Sequence, residues 1–192
     1  MYYYIIPFLF YVLTIPLINY NYLLMLRVIV LLFLIAIFRK FYKFRIKFDF
    51  LALLTGFVIF LLWILLEGHY PLLGKTSFVP VNNILLMFRL FLFIIITPII
   101  EEFFVRNFLA RILIDNNWKK VPLGKFNIVS FIFTVLFFGL SHNRWLPGLI
   151  TGAILNYLIY KKRDMNSVIT VHATANFLLA AYIIATKSWF LW

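Results

Sequence analysis

VNNILLMFRLFLFIIITPIIEEFFVRNFLARIL, residues 81–113, decides the fold of this chain. From Val81 to Ile100 it is nearly uninterrupted apolar sequence, and as a helix rising about 1.5 Å per residue it can cross a hydrocarbon core of ~30 Å. Immediately afterwards come two adjacent carboxylates, Glu101 and Glu102, and two arginines, Arg106 and Arg111. Polar groups at membrane depth are costly, so a reason for them has to be found.

The rest of the chain has the same character. With 65% hydrophobic and 12% charged residues and a mean hydropathy of +1.03, the composition excludes a soluble domain and indicates an integral membrane protein. Hydrocarbon admits only helices or closed barrels, and no segment alternates with the period of two that a barrel strand shows. The fold class predicted is therefore all-α, a polytopic transmembrane helix bundle. The absence of cysteine excludes disulfides and thiolate metal sites. MYYYIIPFLFYVLTIPL, at the N-terminus, lacks a basic n-region and a small-residue cleavage site, so it reads as a retained helix and not as a signal peptide.

About seven segments are predicted, at 2–18, 21–38, 49–66, 82–114, 126–141, 147–160 and 167–186. The fourth is long and interrupted, with a kink expected at Pro98, which breaks the hydrogen-bond ladder. Residues 1–192 read as one integral membrane domain, with N-terminal helices over 1–66 and a motif-bearing core over 82–186. The net charge of +12 does not point to nucleic acid, because the cations cluster in short loops between apolar runs. Arg39, Lys40, Lys43, Arg45 and Lys47 fill one loop, Lys119, Lys120 and Lys125 a second, and Lys161, Lys162 and Arg163 a third. These loops alternate with loops and a tail holding only Lys75, Arg144 and Lys187. Seven spans with a cytoplasmic N-terminus and an outside C-terminus follow from the positive-inside rule. Arg27, Arg89 and Arg111 are expected to snorkel or to lie at the interface.

Spacing gives the remaining polar groups a geometry. Glu102 and Arg106 are four residues apart on a helix, with the acid N-terminal to the base, so they pair. Glu101 points about 100° away and has no cation one turn distant, since 97 is Thr and 105 is Val. A carboxylate without a counter-ion in a low dielectric suits a group that takes and returns protons. His172 and Asn176 share a face of the seventh segment. His142 ends the fifth, and the sixth is too short to reach the far surface, so the turn SHNRWLPG is expected to stop inside a protein-lined cavity near the depth of Glu101. Simpler readings exist for each part: a structural clamp for Glu102–Arg106, helix-packing glue for Asn176, a structural role for His69 in the outer loop. The weight lies in the set, on three separate helices.

E-E-x-x-x-R at Glu101, Glu102 and Arg106, F-x-x-x-H at Phe138 and His142, and H-x-x-x-N at His172 and Asn176 resemble the three signature motifs of the CAAX protease and bacteriocin-processing family, the glutamate-type intramembrane proteases. Order, spacing and placement on successive hydrophobic segments match over about residues 82–186; the small, aromatic-rich chain looks like a prokaryotic member, in a cell membrane. The resemblance implies hydrolysis of a peptide bond in a membrane-associated protein or peptide, without metal or other cofactor. Glu101, helped by His142, would activate water; His172 and Asn176 would stabilise the oxyanion; Glu102 and Arg106 would support the site. The residues agree with water as nucleophile, since cysteine is absent and Ser141 has no evident activating partner.

Two other readings use the same residues. Two histidines and a glutamate can hold zinc with an open position, although the H-E-x-x-H spacing is missing. A bacteriocin-immunity protein or a proton-relay transporter would need no hydrolysis at all.

Overall fold

The computed structural model describes residues 1–16, 21–44, 49–74 and 78–192. Arg45, Lys47 and Lys75, three of the loop cations, lie outside the described residues, as do residues 17 and 18 of the first expected segment. Seven helices and no strand occur among the described residues: α1 (Tyr2–Leu13), α2 (Asn21–Ile37), α3 (Phe50–Leu65), α4 (Asn83–Ile112), α5 (Ile128–Leu140), α6 (Trp145–Lys162) and α7 (Met165–Thr186). Each matches an expected segment, with ends shifted by a few residues. The shifts follow capping side chains: Asp49 accepts from the Ala52 amide, Asn82 from Leu85, Asn127 from Ser130, and Asp164 from Asn166 and Ser167. At their C-terminal ends, α6 and α7 stop on Arg163 and Lys187, both with left-handed backbone.

α4 is the axis of the bundle, in contact with α1, α2, α5 and α7. Two apolar clusters stack along it. Leu92, Ile96 and Ile100 belong to one, with Leu24, Leu31, Leu179 and Ile183; Phe103, Val105 and Phe108 belong to the other, with Tyr3, Tyr42, Leu155 and Val168. Glu101 and Glu102 fall at the seam between them.

Outward-facing side chains show what surrounds the bundle. On α5, Ile128, Val129, Ile132, Phe133, Leu136 and Leu140 form one exposed apolar face, and Leu54, Phe57, Val58 and Leu61 do the same on α3. Faces of this size are not left to water; they are solvated by lipid, and the protein is integral to a membrane. By length and composition alone, α4 and α7 can cross a bilayer, while α1, α2, α3 and α5 are apolar but shorter.

The loops sort to two ends. The Tyr42 hydroxyl donates to Tyr3 O and the Tyr4 hydroxyl to Phe41 O, fastening the α2–α3 loop to the start of α1. Trp118 of the α4–α5 loop packs on Tyr3 and Tyr4. Lys162 forms an ion pair with Asp49 and, as its hydrogen-bond donor, holds that carboxyl below its ordinary value; the Ser167 hydroxyl also donates to Asp49. The described residues of the three cationic loops thus share one end with the N-terminus, as the alternation requires. At the other end, Arg144 pairs with Glu67 through two hydrogen bonds of 2.6 and 2.9 Å, and Trp145 Nε1 donates to Pro71 O.

Closest helix contacts need missing side chains. A Cβ on Gly56 of α3 would stand 2.7 Å from both Val171 O and Thr174 Cβ of α7, and Gly139 of α5 lies against Gly148 of α6. Because the obstruction at Gly56 includes backbone, α3 must move. Gly56→Ala is expected to lower unfolding stability by about 1–3 kcal/mol in detergent, whereas Leu54→Ala on the exposed face changes it little. Equal stability of the two variants would contradict this packing.

Candidate active site

Two π-helical segments, Leu92–Ile96 and Phe103–Leu109, bracket the α-turn that carries the acids, so α4 departs from regular winding on both sides of Pro98 and not at the proline alone. The reason is visible in the backbone. The Thr97 amide donates to Leu92 O, five residues back, and the next residue is Pro98, which has no N–H to give. Phe93 O is left over, and Asn176 Nδ2 of α7 donates to it at 2.7 Å. A proline in α4 thereby fixes an amide on α7.

Glu102 is 0% exposed and has two partners. Its Oε1 accepts from His172 Nδ1 at 2.8 Å. Its Oε2 lies 3.3 Å from Arg106 Nε, an ion pair by distance whose angle is too bent for a hydrogen bond. The pairing expected from the four-residue spacing is present; the bond to His172 is an addition that no spacing within one helix reveals. Arg106 also approaches Gly152 O at 3.4 Å and lies 4.5 Å over the Phe138 ring.

With Nδ1 given to Glu102, His172 turns Nε2 toward Glu101, 4.0 Å from Oε2, too far for a direct hydrogen bond. That Glu101 oxygen is buried and has no hydrogen-bond partner, so Glu101 is the acid without a close cation, as its helical position indicates. His142 Nδ1 lies 2.6 Å from Phe138 O; a carbonyl only accepts, so Nδ1 carries the hydrogen and Nε2 presents a lone pair. Phe138 packs on both histidines, with ring centroids 4.8 Å from His142 and 5.8 Å from His172, and Trp63 of α3 lies edge-on to His142 at 5.7 Å.

Glu101, His142, His172 and Asn176 line one cavity of about 590 Å³. Glu102 and Arg106 do not; they stand behind it. The turn carrying His142 is fastened to the 66–74 loop, where the Leu73 amide donates to Asn143 O, while Leu140 and Ser141 are exposed. Among the described residues, no three His, Asp or Glu side chains converge as metal ligands do.

The cavity also contains residues outside the motifs. Trp63, Tyr11, Arg27 and Arg89 line it, and Thr97 donates to the Tyr11 hydroxyl at 3.2 Å. Arg27 does not snorkel. It is 2% exposed, donates Nη2 to Tyr11 O at 2.6 Å and stacks 4.7 Å over the Tyr11 ring. Arg89 is enclosed by Phe78, Phe93 and Trp192. Arg111 braces the loop that follows α4, donating to Asn107 Oδ1, Val121 O and Lys119 O. For Arg27 and Arg89 the sequence held one signal, an arginine inside an apolar run; for Trp63 it held none.

No curated protein and no solved structure matches the chain. A family model, type II CAAX prenyl endopeptidase Rce1-like, matches residues 82–178, which span α4 through most of α7 and carry all seven motif residues. That match covers half of the sequence and contains the four side chains around the cavity, so the chain belongs to the Rce1-like family of type II CAAX prenyl endopeptidases.

Proposed function

We propose that this protein is a glutamic-type, metal-independent intramembrane endopeptidase, with seven spans, a cytoplasmic N-terminus and a prokaryotic cell membrane as its site. Family membership gives the coarse activity, a CAAX-protease-like endopeptidase acting on membrane-associated protein. The observation that carries the finer reading is that Glu101, His142, His172 and Asn176 border one cavity while Glu102 is held away from it by Arg106 and His172.

In this reading water binds between Glu101 and the lone pair on His142 Nε2. Glu101 takes its proton as the oxygen attacks the scissile carbonyl, and returns it to the leaving amine. The oxyanion is met by His172 Nε2 and by the second N–H of Asn176, whose first is spent on Phe93 O. Glu102 orients His172 through Nδ1, and Arg106 balances the Glu102 charge.

The experiment is peptide mass analysis of membranes with and without the protein, followed by cleavage of the peptide so identified by purified protein in a strong chelator. Shortened membrane peptides that depend on the protein, formed equally with and without chelator, are expected. Stoichiometric zinc on which activity depends would overturn the metal-free mechanism. Protection of a host without any processed peptide would favour an immunity protein instead.

A further inference from the structure

His142 stands beyond the end of its helix. α5 ends at Leu140, Ser141 caps it, and the His142 amide turns back to Gly139 O. Nδ1 of the imidazole is tied to Phe138 O, and Ser141 Oγ, which donates to the same carbonyl at 2.8 Å, lies 3.3 Å from Nδ1. One hydrogen bond at Nδ1 leaves the ring free to swing about it, and Nε2, across the ring, moves furthest. Two aromatic rings restrict that swing. Phe138, 4.8 Å away, sits one turn before His142 and moves with α5. Trp63, 5.7 Å away at an interplanar angle of 75°, comes from α3 and is an independent brace.

Trp63 is itself held. Its Nε1 donates to Thr151 Oγ1 of α6 at 3.0 Å, and its ring packs against both apolar clusters while lining the Glu101 cavity. Gly56 stands two turns earlier on the same face of α3, where that helix comes closest to α7, so the missing side chain there also sets how far Trp63 reaches toward His142. We propose that Trp63 is a positioning residue for His142: anchored on Thr151 and set edge-on to the imidazole, it keeps Nδ1 on Phe138 O and the Nε2 lone pair on the water beside Glu101. A carbonyl accepts only, which enforces hydrogen on Nδ1; a hydroxyl also donates, so an imidazole that swings toward Ser141 loses its fixed tautomer. Misplacement of a reacting group by about 1 Å costs on the order of 10²-fold in rate. Trp63 lies outside residues 82–178, the span of the family match. Its role rests on the proteolytic reading of Glu101 and His142.

The test compares the unmutated full chain with Trp63→Leu, which keeps an apolar filler without the ring, and Trp63→Phe, which keeps a ring without the bond to Thr151. Two quantities are read in detergent: kcat and KM for the peptide identified from membranes, and the tautomer of His142 by NMR of ring-¹⁵N histidine at about pH 8.5, where an ordinary imidazole is neutral. The His142 resonances are assigned by their loss in His142→Ala. Trp63→Leu is expected to lower kcat about 10²-fold with KM within about threefold, and to convert His142 from the Nδ1–H form to a mixture of tautomers. Trp63→Phe is expected to recover most of both. A raised KM with unchanged kcat would make Trp63 a substrate-contacting wall and overturn the proposal, and so would a fall in kcat with the His142 resonances unmoved. Unmoved resonances with cleavage intact sink the positioning role and leave the protease standing. A changed tautomer in Trp63→Leu, with no cleavage even by the unmutated protein, keeps the hold on His142 and sinks the protease reading.

Discussion

Glu101→Gln is expected to reduce peptide cleavage by about 10²–10⁴-fold while leaving the folded protein at least as stable as before. Glutamine has nearly the same shape, so no void opens beside Ile100 or Phe103. What disappears is a carboxylate whose Oε2 is buried and unbonded, with His172 Nε2 4.0 Å away. Removing such a charge relieves a desolvation cost and takes away the one acidic side chain among the described residues that line the cavity. His142→Ala is expected to abolish processing as well, through loss of the Nε2 lone pair, with insertion intact. Cleavage rates with the peptide identified from membranes, set beside thermal unfolding in the same detergent, decide the matter. Full processing by Glu101→Ala would remove the basis for the protease mechanism.

Glu102→Gln, one residue away, is expected to behave oppositely in stability. Here the substituted carboxylate balances a buried guanidinium and accepts from His172 Nδ1, and breaking such a pair from one side costs about 3–5 kcal/mol because the remaining charge stays buried. Activity should fall too, since the amide holds His172 less firmly than the carboxylate does. Glu102→Gln combined with Arg106→Met should regain much of the lost stability without regaining activity, as removal of both charges leaves neither exposed to the apolar interior. An unfolding midpoint unchanged by Glu102→Gln would mean that Arg106 is balanced by something other than Glu102.

The opposite outcomes for two neighbouring glutamates are already implied by helical geometry. Four-residue spacing pairs Glu102 with Arg106 and leaves Glu101 alone, whatever the helix packs against. Helix number, the gathering of three cationic loops at one end and the three spaced motifs were legible for a like reason: each depends on hydrophobicity or on periodicity within a single segment. Pro98 interrupts α4 as its chemistry requires, with a π-helical segment on each side that the sequence did not announce. Local regularity misled at Arg27, read as a snorkelling or interfacial residue, which is buried.

What the chain order determined by itself was therefore a membrane helix bundle, its alternation of charge, and the residues able to share a helix face. Tertiary structure alone decided which faces meet: His172 on Glu102, Asn176 on Phe93 O, Trp63 beside His142, and Arg27 with Arg89 on the wall of the Glu101 cavity. These contacts join residues tens of positions apart. They depend on how closely helices approach, which small residues such as Gly56 and Gly139 set, and on backbone acceptors that π winding and a proline release.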